Sequence, residues 1–170
     1  MTLSDREFWT VFHGMIVGAI YLLAFAGGLA GLWSLRSWEV TPAGMKERMR
    51  RLIAGMWVMA IVCWTTVITG TYVVYPWYRA KEPASPRSKL LADSAKSAWH
   101  TFGMEWKEHV AWLSPILATA AAMLVLYYRE ELARKDDLRR ATIALFVLAF
   151  AAAAVAGLFG AFINKVAPIL

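Results

Sequence analysis

The chain has 170 residues, 59% hydrophobic and 18% charged, with 18 Lys and Arg against 12 Asp and Glu for a formal net charge of +6. Charges this sparse avoid four long apolar stretches, which sets the chain apart from ordinary soluble domains. The excess of Lys and Arg flanks those stretches, where it meets phospholipid head groups, so no nucleic-acid partner is expected.

The apolar stretches cover residues 8–33, 52–75, 110–128 and 141–163, and none contains Asp, Glu, Lys or Arg. Crossing a hydrocarbon layer of ~30 Å takes ~20 helical residues at ~1.5 Å each. Backbone groups in lipid must pair internally, so helices are the physical solution. The expected fold is all-α: a polytopic membrane protein, a four-transmembrane-helix bundle forming one membrane domain over 1–170.

Before the first stretch, Asp5, Arg6 and Glu7 sum to −1, whereas a secretion signal carries a positive leader. Ala24-Phe25-Ala26 imitates a cleavage site, but the apolar run is too long, and a retained helix is expected. Connections 34–51 and 129–140 carry ten of the 18 cations: Arg36, Lys46, Arg48, Arg50, Arg51, Arg129, Arg134, Lys135, Arg139 and Arg140. Positive loops stay inside, which places both termini on the outer side of a bacterial-type cytoplasmic (inner) membrane. An aromatic belt marks the outer interface with Phe8, Trp9, Tyr72, Tyr75, Trp77, Tyr78, Trp99, Trp106 and Trp112. Trp33, Trp38, Tyr127 and Tyr128 mark the inner one.

The loop 76–109 has two parts. Pro76, Pro83 and Pro86 with Ser85 and Ser88 predict an irregular crossing. From Asp93, capped around Ala92-Asp93-Ser94, the recurrence of Trp99, Phe102, Trp106 and Val110 predicts helix. It is either an amphipathic extension of helix three or a surface helix separated from it at Gly103. Cys63, the only cysteine, can form no internal disulfide.

All three histidines, His13, His100 and His109, fall at the outer end of this arrangement. An imidazole in hydrocarbon is costly and implies a partner such as a metal, haem, quinone or proton. His13 lies five residues inside the first stretch, ~7–8 Å along its axis. Gly14 and Gly18, Gly70, and Gly157 and Gly160 recur near that depth, with Pro115 on helix three. Glycines let membrane helices approach closely, and here they also leave room for a flat ligand. That combination predicts a haem b held by His13, with His109 as second axial ligand and His100 or Met104 as substitutes. His109 is preferred because it is nearer the membrane, with Glu105 and Trp112 on its face. The cofactor-binding set is therefore His13, His109, His100, Gly14, Gly70 and Arg79. Arg79, Lys96 and Lys107 are the cations available for haem propionates.

There is no Cys-x-x-Cys-His for covalent haem and no His-Glu-x-x-His for zinc. Ser97 and Ser114 lie near histidines, but such serines commonly bond the backbone, and no hydrolase is expected. In size and layout the chain is similar to the four-helix haem b anchors of respiratory oxidoreductases, an architectural likeness that covers no defined motif. The expected function is a membrane b-type cytochrome subunit of a respiratory or photosynthetic electron-transfer complex, itself non-catalytic. Its partners would be the bilayer, other subunits of the complex and an outer-face electron-transfer protein. The alternatives are a quinone- or lipid-binding subunit without haem and a purely structural or assembly subunit.

Overall fold

A computed structural model describes residues 2–36 and 41–168; Trp38 lies outside them. The described residues are helical without strands. Four helices are long and apolar enough to cross a membrane: α1 (Asp5–Trp33), α2 (Pro42–Tyr78), α4 (Trp99–Tyr128) and α6 (Asp136–Val166). Two short helices, α3 (Pro86–Leu91) and α5 (Glu131–Arg134), stand in the connections.

Each long helix outruns the apolar stretch that announces it, because local capping and charge pairing sustain a helix where hydropathy has ended. Ser4 opens α1 with a capping box: its side chain accepts from Glu7 N at 3.2 Å, and Glu7 accepts from Ser4 N at 2.8 Å. Pro42 opens α2, where a missing N–H costs nothing, and Thr41 accepts from Gly44 N. Glu47 then pairs with Arg50 and Arg51, each at 2.8 Å.

Pro76 does not break α2 as the loop reading required. The helix widens into a π-helical stretch, Gly70–Val74, immediately before it, so the lost donor falls where the hydrogen-bond ladder is already loosened. The segment 76–98 is also less irregular than its prolines suggested. Ser85 caps α3 and Pro86 takes its first position, while Leu90 packs in a core with Tyr78, Met104, Ile163 and Ala167.

Of the two alternatives for the region before Val110, the structure takes the extension. The helix α4 runs from Trp99 to Tyr128, and Gly103 lies inside it, facing Phe159 and Ile163. Its helical start is Trp99 rather than Asp93, which instead holds a turn by accepting from Ala95 N. A 3₁₀ turn at Val110–Trp112 precedes Pro115. At the far end Arg129 adopts φ 42°, a left-handed residue that stops the helix.

The chain forms two compact units, and every long helix contributes a stretch to each. The first comprises residues 1–19, 64–112 and 152–170; the second comprises 20–63 and 113–151. The second unit has an aromatic interior. Phe25 stacks on Phe150 with centroids 3.8 Å apart and on Phe146 at 5.4 Å, and Tyr21 donates to Phe150 O at 2.8 Å. Gly28 admits Phe146: a Cβ there would lie 2.6 Å from the ring. Arg139, expected as a head-group cation, is instead buried, donating to Leu35 O and Leu132 O and pairing with Asp136 at 2.8 Å.

Candidate functional site around His13

The first unit has a different interior. Three of its helix segments are π-helical, Phe12–Ile16, Gly70–Val74 and Trp99–Met104, and such single-turn widenings recur at functional sites. They carry His13, Gly70 and His100.

His13 Nδ1 lies 3.0 Å from Thr69 Oγ1. The hydroxyl of Thr69 donates its one proton to Thr65 O at 2.7 Å, with Thr66 O at 3.2 Å. Its oxygen is therefore the acceptor, the proton of the neutral imidazole sits on Nδ1, and Nε2 carries a lone pair. A fixed Nδ1–H with a free Nε2 is the form in which histidine binds a metal or accepts a proton. Gly70 is required here, since a Cβ would lie 2.9 Å from the ring. Gly70 thus makes room for the imidazole itself rather than for a guest beside it.

The other small residues divide. A Cβ at Gly14, Gly18 or Gly157 would meet nothing within 4 Å, whereas at Gly160 it would lie 2.7 Å from Lys107 Nζ. That ammonium donates to Ala156 O at 3.1 Å. Lys107 belongs to α4, a helix of membrane-crossing length. The helix α4 begins at Trp99 and so carries Glu105, Lys107 and Glu108 ahead of the uncharged stretch 110–128.

The remaining histidines have separate partners. His109 is exposed on α4, with Nδ1 donating to Glu105 O at 3.0 Å and lying 3.5 Å from the Glu105 carboxylate. Its Nε2, like that of His13, is the free pole. His100 is buried, and its Nδ1 lies 2.9 Å from the Tyr78 hydroxyl. Met104 packs in the apolar core already described, which accounts for its burial without a ligand. Arg79 lies over the Tyr75 ring, 5.3 Å from its centroid, and 4.0 Å from Glu108. Lys96 pairs with Asp93 at 2.7 Å. Among the described residues no three His, Cys, Asp or Glu side chains gather as a direct metal cage.

Sequence reasoning did not find Thr69, Tyr75, Tyr78 or Glu108 as members of a polar site. Thr69 precedes the singled-out Gly70, and Glu108 precedes His109. What hid them was the belt reading of the tyrosines and the placement of 76–109 outside the spans.

Comparison of the chain with protein-family models, curated proteins and solved structures finds no match.

Proposed function

We propose that this chain is a multi-pass membrane subunit that carries electrons by holding a b-type haem through His13, with both termini on the outer side of a bacterial-type cytoplasmic membrane. The observation that carries the reading is the His13–Thr69–Thr65 relay, which holds the imidazole proton on Nδ1 and presents an Nε2 lone pair on a helix of membrane-crossing length. Keeping such a lone pair in hydrocarbon is costly unless it has a partner.

Particular residues support this reading. His13 would supply one axial nitrogen. His109 and His100 each have Nδ1 engaged, with Glu105 O and the Tyr78 hydroxyl respectively, and either would supply the second nitrogen. Lys107 has a backbone carbonyl as acceptor and would meet an acidic substituent of the porphyrin. Gly14, beside His13, is exposed, and the open space at its Cβ position is the outer face of α1. Bound haem supplies a one-electron carrier; the protein's part is to orient the imidazole and offset propionate charge. A larger oxidoreductase and an outer-face electron-transfer protein would complete the circuit.

The test is optical. Protein purified from cells supplied with a haem precursor should show a reduced haem b spectrum, and His13→Ala should abolish it while leaving the chain folded. Thr69→Val should keep the haem but shift its midpoint potential, because the Nδ1 hydrogen bond tunes the ligand. A colourless wild-type preparation would overturn the reading.

A further inference from the structure

Within the second unit, α1 and α2 leave between them a cavity of about 370 Å³, well away from His13. Its lining includes Gly27, Gly31 and Ser34 from α1 and Arg48, Arg51 and Gly55 from α2. Each set is spaced by three or four residues, one face of its helix. A Cβ added at Gly27 or Gly55 would meet nothing within 4 Å, so both walls are open. The hollow follows α1 from Leu23 to Ser34, a run of ~16 Å. Its polar lining stands at one end. There Arg48 Nη1 donates to Ser34 O at 3.3 Å, and Arg51 Nε donates to Glu47 at 2.8 Å. Both side chains are exposed, and a guanidinium carries five N–H donors.

Charge and polarity select the occupant. Residues 46–51 hold four cations and one carboxylate, and the uncharged stretch begins directly after them at Leu52. An occupant is therefore anionic at the arginine end and apolar along the glycines. A small soluble anion would use only the mouth. A second copy in the same membrane orientation would bring its own Arg48 and Arg51 to the same level, and like charges would oppose the pairing. A phospholipid with an anionic head group suits both ends, and basic pockets between membrane helices are the usual seat of such lipids. The cavity's volume lies within the ~300–1,000 Å³ of small-ligand sites.

We propose that this cavity binds one anionic phospholipid, with Arg48 and Arg51 donating to its phosphate and an acyl chain lying between Gly27 and Gly55. The site rests on the reading of the chain as a membrane protein and makes no use of haem.

The test has two stages. Membranes holding the full chain are first washed in alkaline carbonate; release of the chain would sink the membrane reading and this site with it. The retained chain is then purified in detergent, and native mass spectrometry follows its titration with phosphatidylglycerol or phosphatidylcholine. Wild type should hold one phosphatidylglycerol in preference to phosphatidylcholine. Arg48→Gln and Arg51→Gln should each weaken phosphatidylglycerol about fivefold, the scale of one cation near an anionic head group. Arg134→Gln with Arg140→Gln, exposed cations outside the cavity, should bind as wild type. Gly27→Leu with Gly55→Leu fills the hollow and should weaken binding about tenfold. Inorganic phosphate should leave the lipid in place; displacement by it would mean a free-anion site and overturn the lipid assignment. Equal affinity for the two lipids, or arginine and leucine variants that bind as wild type, also overturns the proposal. So does a dimer that Gly27→Leu splits, which would make a second copy the occupant. A carbonate-resistant chain without lipid preference leaves the membrane reading standing.

Discussion

The four long helices build two interiors from one set of elements, and the contrast between them separates packing from chemistry. In the second unit Arg139 meets two carbonyls and a carboxylate, Tyr21 reaches a carbonyl, and Ser114 lies 3.4 Å from Cys63 Sγ. Around these groups pack Phe146, Leu32, Met56, Met59 and Val125, all fully buried. In the first unit stand all three π-helical segments. Among the described residues it also holds every buried side-chain polar atom that lacks a partner: Tyr75 Oη, Arg87 Nε, Trp106 Nε1 and Glu108 Oε1. A fold that satisfies its polar groups so fully in one region has no general difficulty doing so. The exceptions in the other region mark where polar groups are less completely paired.

The sharpest way to break this contrast is to damage the packed interior alone. Phe146→Ala removes a fully buried ring held against Phe25 and Gly28. It should cost about 3–5 kcal/mol, read from unfolding in detergent. The variant should still present the His13–Thr69 pair while it remains folded; loss of the cofactor spectrum at unchanged stability would show that the two interiors are not separable.

A paired substitution sharpens the comparison. Arg139→Met strips two backbone carbonyls and Asp136 of their donor and should destabilise by about 2 kcal/mol. Lys107→Met removes a charge whose hydrogen bond goes to one carbonyl, Ala156 O. An apolar side chain of similar length should leave stability unchanged or raise it. Equal losses in both would mean that Lys107 is structural after all.

The smallest effect belongs to the connection before α4. Asp93 is exposed, and its bonds to Lys96 and to Ala95 N–H hold its carboxyl below the ordinary 3.8. Its contribution is fully present above the unfolded-state value and disappears as pH falls through the lower folded value. Asp93→Asn should therefore differ from wild type in thermal midpoint at pH 6, and the difference should fade on acidification below about pH 4.

Particular residues show how far reading the chain could go. The apolar stretches located the four long helices, since burying backbone in lipid leaves little alternative to helix. They missed the helix ends, because Ser4 with Glu7, or Glu47 with Arg50 and Arg51, extend helices by local bonds that hydropathy does not register. Gly70 was legible as a special position beside His13, and it is one, though the space it leaves is filled by the imidazole. Glu108 and Lys107 were not legible as interior groups: their charge pointed to a loop, and only the unbroken course of α4 through Gly103 brings them onto a long helix.

Composition and spacing alone determined that the described chain is helical, with four helices of membrane-crossing length and histidines gathered toward one end. These follow from the free energy of placing apolar side chains and peptide groups in hydrocarbon, a sum over local residues. Which nitrogen of His13 carries its proton, and which polar atoms near it find no partner, depended on contacts between residues far apart in the chain, such as 13 with 69 and 79 with 108. Such contacts are set by how helix surfaces meet, and no local sum contains them.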